Sequence, residues 1–399
     1  MRFRQFTHNY SPLYFLAALG PGGMAVSFFM YLMFLVPHKG TPMAALMHWL
    51  PIVERGDLNS FLISVSLVVI VLLAALHFSL LAWNLKQWKR FKGTDEYRAL
   101  KQGNAEVTQM ALPLTVAMSI NMMFILGSLF VPGLWDVIQA LFPVATLVFT
   151  AVGAWALTLY GKYLIRLMVN GDFNSEQNNN FSQLLAPFTF AMIAVGLAAP
   201  GAMSHSPLVS GLSLFLSAAF ATLTGVLSLV WFVIGFKDIL RQGLDVKGSP
   251  TLWILIPILT LLGITFLRYT MGLHHNFAST LENSLFLAVM SAVLGLQLMI
   301  GLFGYFIMQS NQYFDNYVNG PNRNPATFGL ICPGVALVVF GFFFVNYALI
   351  GNGIIEKYSV AHFLALLPLV VLQLKTGWVM LRMINTQLLK RNTVAPMPR

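Results

Sequence analysis

Residues 327–350 read TFGLICPGVALVVFGFFFVNYALI, an uncharged apolar run long enough to cross the roughly 30 Å hydrocarbon core of a bilayer as a helix. Inside it the chain's single cysteine, Cys332, stands directly before Pro333 and Gly334. A proline within a helix removes one backbone hydrogen bond and crowds the carbonyl four residues back, here that of Gly329. The stretch therefore predicts a membrane helix bent near its middle. Such a bend needs a reason, and the rest of the chain supplies one by repeating it.

Hydrophobic residues make up 57% of the 399 and charged residues 9%, with a mean hydropathy of +0.74. Soluble domains carry about 25% charged residues, so this is a polytopic membrane protein. Its apolar segments fall at about 11–37, 61–88, 105–131, 133–169, 181–205, 207–241, 251–273, 280–314, 325–350 and 358–388. In lipid each must close its own backbone hydrogen bonds, hence ten helices. The short connections leave no room for a soluble domain, so residues 1–399 form one transmembrane domain. Arg2 and Arg4 precede a first apolar run without a small-residue cleavage site, which reads as a retained helix rather than a signal peptide. A single cysteine rules out an internal disulfide.

The net charge of +10 is a topology signal, not a nucleic-acid patch. Arg2, Arg4, the basic cluster between Lys86 and Lys101, Lys162, Arg166, Lys237, Arg241, Lys247, Arg323, Arg382, Lys390, Arg391 and Arg399 all fall on the side of the N-terminus. The other side has Lys39, Arg55, Arg268 and Lys357. By the positive-inside rule both termini are cytoplasmic, in the inner membrane of a bacterium. Lys375 sits in the last helix where its stem can snorkel toward the cytoplasmic interface. The apolar segment Met43–Leu50 is too short to span and is expected along the outer interface. The polar loop Asp172–Asn180 is expected to be mobile.

An internal repeat organises these helices. Every odd-numbered span holds a proline a third to a half of the way in: Pro21, Pro113, Pro187, Pro257 and Pro333. After the first interval they recur at about 70–76 residues. Four even-numbered spans carry a glycine about 44–48 residues after the preceding proline, namely Gly161, Gly235, Gly304 and Gly377. The repeat predicts five helical hairpins, 11–92, 105–170, 181–242, 251–316 and 325–390, in a quasi-fivefold ring about the membrane normal, an all-α fold with proline-kinked odd helices inside. Proline is common in membrane helices, and Pro143 and Pro368 lie in even spans, so shared depth and spacing carry the reading.

Five bends at one depth enclose a central constriction. Beside the prolines Pro21, Pro113, Pro187, Pro257 and Pro333 stand Gly20, Gly22, Leu112, Ala186, Ile256, Cys332 and Gly334, all small or aliphatic. A path so lined lacks the carboxylates a cation route or proton relay uses, and the positive ends of bent helix segments favour a weakly hydrated anion. Phe28, Phe29, Phe124, Phe266 and the run Phe340, Phe342, Phe343, Phe344 follow the kinks and include a possible hydrophobic gate. Arg268, at the outer end of the seventh span, is expected to snorkel or, with His274 and His275, to form a basic outer vestibule. His77 and His362 raise haem ligation, but they belong to the outer set of helices and lack a second pair at matching depth. No zinc spacing, phosphate loop or nucleophile elbow occurs, so no metal, no other cofactor and no enzymatic activity are expected.

Five proline-kinked hairpins and the opening PLYFLAALGPGGM, residues 12–24, resemble the tellurite-resistance/dicarboxylate transporter family, which includes the plant slow anion channels. The chain also resembles that family's TsoY-type branch, some members of which carry selenocysteine. The resemblance implies a carrier or channel for small inorganic or carboxylate anions, usually a homotrimer with one pore per protomer. It also implies a phenylalanine plug directly before the ninth-span proline, and this sequence departs from that with Cys332. Cys332 and Phe340 are then the gate candidates. The alternative is a thiol-dependent redox or sulfur/selenium-handling membrane protein that uses Cys332.

Overall fold

The computed structural model describes residues 3–6, 9–280 and 282–389, so Arg2, Lys390, Arg391 and Arg399 of the charge pattern lie outside the described residues. Within these residues the chain is helical, with no strand beyond an isolated bridge between Phe3 and Leu389. Ten helices are long and apolar enough to cross a membrane: Pro12–Leu35, Asn59–Phe91, Asn104–Phe130, Leu134–Asn170, Ser182–Met203, Pro207–Gln242, Val246–Asn276, Asn283–Ser310, Pro325–Ile350 and Val360–Leu388. Each lies within a few residues of the span read from the sequence. The Arg4 amide donates to the Leu388 carbonyl at 2.8 Å, which puts the first residues and the end of the tenth span on one face.

Local chemistry starts and stops these helices. Asp57 accepts from the Ser60 amide at 2.8 Å at the head of the second span, and Ser206 and Ser359 cap the sixth and tenth. Pro207 follows its cap at the first helical position, where a missing N–H leaves no bond unmade. Gly133 and Gly171 bracket the fourth span at φ of 65° and 66°, a conformation that costs other residues more.

Two populations of span result. In the odd spans 50–94% of the most apolar window is buried, and in the even spans 17–39%. The even spans therefore show most of their apolar surface outward, as lipid contact requires, while the odd spans are enclosed by protein. Each odd span packs against the even span that follows it. The odd spans touch one another in chain order, and the ninth returns to the first.

The prolines act differently from the expected mid-helix kink. All five odd spans open as a 3₁₀ segment, Pro12–Tyr14, Asn104–Met110, Ser182–Leu184, Val246–Trp253 and Pro325–Leu330, and the α-helix takes over within two residues. Pro113, Pro187, Pro257 and Pro333 are each the third residue of the α-helix that follows. There the missing N–H is one of the first-turn donors that has no intrahelical partner anyway, so the change of helix type replaces a broken bond. Pro21 alone lies deeper, as the seventh residue of the α-helix Phe15–Leu35. Farther along the ninth span, Phe344–Ile350 winds as a π-helix.

Hydrogen bonds between odd units join positions 70–79 residues apart, about one repeat length. Asn104 donates to Asn174 O (2.6 Å), the Phe181 amide to Thr251 Oγ1 (2.9 Å), Thr189 Oγ1 to Met110 O (2.9 Å) and Asn324 to Lys247 O (2.6 Å). Equivalent points on successive units therefore meet. The loop Asp172–Asn180, expected to be mobile, is pinned instead. Asn178 donates to Asp238 at 2.9 Å, Gln242 donates to Ser175 O, and Arg166 pairs with both Asp172 and Glu106. The segment after the first span forms a short helix, Leu46–Val53, whose Trp49 donates to Leu129 O at 3.0 Å.

Candidate functional site

All five odd spans contribute walls to a cavity of about 180 Å³. The linings follow helical spacing: Leu19, Gly20, Gly23, Val26 and Met30 from the first span; Met118, Asn121 and Ile125 from the third; Phe188, Met192, Val195 and Ala199 from the fifth. The seventh span gives Pro257, Thr260, Leu261, Ile264 and Arg268, and the ninth Cys332, Val335, Ala336, Val339 and Phe343. Steps of three and four are one face of a helix, so each odd span turns a single stripe inward. A second cavity of about 50 Å³ lies among Leu13, Leu16, Ser182, Leu185, Pro250, Ile254, Ala326 and Gly329, where the odd spans begin. Phe188, Pro257 and Cys332 line both cavities and form the partition between them.

The residues singled out from the sequence divide on this geometry. Gly20, Pro257 and Cys332 line the cavities, whereas Pro21, Gly22, Leu112, Pro113, Ala186, Pro187, Ile256, Pro333 and Gly334 do not. They sit in the same spans, but neighbours in a helix point about 100° apart, so most residues beside an inward one face another helix. A side chain at Gly22 would meet His77 Nδ1 and Met118 Cγ, both at 2.9 Å, and one at Gly334 would meet Thr376, so these two glycines admit close helix packing. Phe340, the other gate candidate, is fully buried with its ring over Gly263 and lines neither cavity. The aromatic in the partition is Phe188, directly after Pro187 and 4% exposed. Sequence reasoning missed it, although its position beside a repeat proline was the available signal.

Arg268 departs most from expectation. It neither snorkels to the edge nor joins the two histidines: it is half-buried, lines the cavity, and its Nη1 donates to the Val195 carbonyl at 2.9 Å. Among the described residues no carboxylate lies within ion-pair distance of it. His274 and His275 stand about 9 Å farther along the helix, exposed, donating to the carbonyls of Ser279 and Ala202. At the outer end His48 is held below its ordinary value by burial and then by nearby His38, which disfavours its charged form.

The remaining lining is soft and apolar. Met30, Met43, Met118, Met192 and Met203 present thioethers, and Asn121 reaches the Met192 sulfur at 3.5 Å. Thr260 donates to Ala336 O at 3.1 Å and accepts from Gln297 at 2.7 Å, so its hydroxyl is committed to the walls. His77 is committed too: Nδ1 donates to Ala18 O at 2.7 Å and Nε2 pairs with Ser119 Oγ at 2.8 Å, leaving no ring nitrogen for iron. His362 Nδ1 accepts from the Tyr358 amide at 3.0 Å. No group of three or more metal-binding side chains occurs among the described residues. No protein-family model matches this chain, and no curated protein matches it.

Proposed function

We propose that this chain is a membrane channel or carrier for small anions, with the pathway running through the two cavities between the odd spans. The observation that carries the reading is Arg268, a guanidinium without a carboxylate partner, facing an otherwise apolar cavity walled by all five odd spans. A half-buried charge facing apolar walls is costly unless something pairs with it, and inside membranes such residues mark ion or substrate routes. The ninth span's return to the first supports five hairpins in a quasi-fivefold ring around that pathway. Phe188, Pro257 and Cys332 form its closed constriction. The sequence resemblance to the tellurite-resistance/dicarboxylate transporter family agrees with this reading, as does its usual homotrimer with one pore per protomer. The excess of basic residues on the terminal face supports cytoplasmic termini in a bacterial inner membrane. Purified protein in liposomes loaded with an anion-sensitive dye tests the reading across chloride, nitrate, sulfite and dicarboxylates. No flux above that of empty liposomes for any of them sinks it.

A second reading, thiol-dependent sulfur or selenium handling, is favoured by one observation: Cys332 borders both cavities, so a species entering either one meets the sulfur. Cys332→Ser separates the two, since an anion route survives the loss of the thiol and a thiol-dependent activity does not.

A further inference from the structure

We infer that the larger cavity is a binding site for a monocarboxylate with a ring-sized apolar body, its carboxylate held by Arg268. This rests on the anion reading above and narrows it to one chemical class. A guanidinium presents five N–H donors in a planar fork, and Arg268 uses one nitrogen on the Val195 carbonyl. The free edge suits a planar carboxylate taken through two parallel bonds. Asn121, whose amide reaches only a thioether, is the other polar side chain in the lining with donors left to give.

The opposite requirement comes from the rest of the wall. Arg268 is the one cation in the lining of either cavity, and Thr260 is already engaged. The second charge of a dicarboxylate would face phenylalanine, methionine and valine with no counter-charge, which low-dielectric surroundings penalise heavily. An apolar body gains there instead, through contact with the phenylalanine, thioether and branched side chains. Size sets the remaining limit. An apolar cavity of about 150 Å³ holds a benzene molecule, and this one measures about 180 Å³. It therefore accommodates a six-membered ring or a chain of comparable bulk, while a bare inorganic ion leaves most of the wall without a contact.

The test is isothermal titration calorimetry on the full chain in detergent, wild type and Arg268→Gln, with benzoate, hexanoate, succinate, nitrate and benzyl alcohol. Benzoate and hexanoate are expected to bind the wild type at least tenfold more tightly than succinate or benzyl alcohol, and Arg268→Gln to lose that advantage. The wild-type ranking decides the matter even when the variant does not fold. Succinate binding as tightly as benzoate overturns the proposed class and leaves the anion reading standing, as does nitrate flux without benzoate binding. Benzyl alcohol matching benzoate overturns the role of Arg268. Absence of binding and of flux for every anion removes both the class and the reading beneath it.

Discussion

Phe188→Ala removes the one aromatic ring in the partition, and its effect can be worked from burial. The side chain is 4% exposed, and burying a phenylalanine contributes about 1.5–3 kcal/mol. On the proposed route a passing anion displaces the ring, so a comparable amount is expected in the barrier to passage. At about 1.4 kcal/mol per factor of ten, its removal raises flux roughly 10- to 150-fold. The same truncation costs about 3–5 kcal/mol of stability, so size-exclusion and thermal-melt controls accompany the dye-quench flux assay. Phe340→Ala is the matched comparison. That ring is fully buried against Gly263 and touches neither cavity, so its loss carries a similar stability cost and no gain in flux. A folded Phe188→Ala protein that conducts at the wild-type rate refutes the partition, and equal gains from both substitutions show that loosening the fold opens the path.

Gly334→Ala puts a methyl group against Thr376 and lowers the melting temperature by an overpacking cost of about 1–3 kcal/mol, while leaving the anion preference of any remaining flux unchanged. His77→Leu removes the bonds to Ala18 O and Ser119 Oγ; at about 0.6–1.7 kcal/mol per interhelical bond in membranes, a loss of about 1–3 kcal/mol is expected in denaturant titration. Arg268→Gln, by deleting an uncompensated charge, is expected to raise the melting temperature of anion-free protein and to abolish stabilisation by added anion; a lower melting temperature shows instead that the wild-type charge has a partner within the fold.

The ten spans were readable because they rest on a signal that survives in one sequence, uninterrupted apolar length; the repeat was read from prolines whose spacing a fold must respect. Of the residues singled out at the repeat prolines, Gly20, Pro257 and Cys332 line the cavities, Pro257 and Cys332 both of them. The rotation of each helix was not readable. Where residues packed against other helices and residues facing the cavity are both apolar, periodicity has no contrast to report, so Phe188 and Met192 could not be told from the buried Phe190 or Ile193. Arg268 was visible as a charge, but its direction depends on the Val195 carbonyl in a neighbouring span, which no local pattern encodes. The proline bends were visible, yet their replacement by a 3₁₀-to-α junction depends on where the preceding helix type changes.

The apolar walls and the lone cation explain each other. A cavity rich in polar groups would hydrate an anion on its own and gain little from one arginine, because the interaction weakens as the surroundings become more polarisable. Five odd spans that are half or more buried, with hydroxyls of Thr115, Thr189 and Thr260 and the ring of His77 spent on nearby carbonyls, leave the walls poor in such groups. The guanidinium is then strongly felt inside the cavity and expensive while empty, and an entering anion relieves that expense. Passage onward leads past Phe188, Pro257 and Cys332 into a smaller space with no cation in its lining, so an anion held at Arg268 loses its partner by moving on. If the proposed route carries anions, transport needs a change in the partition, and flux is expected to be limited there more than at entry. On the proposed route, control would sit at Phe188 on the fifth span and selection at Arg268 on the seventh.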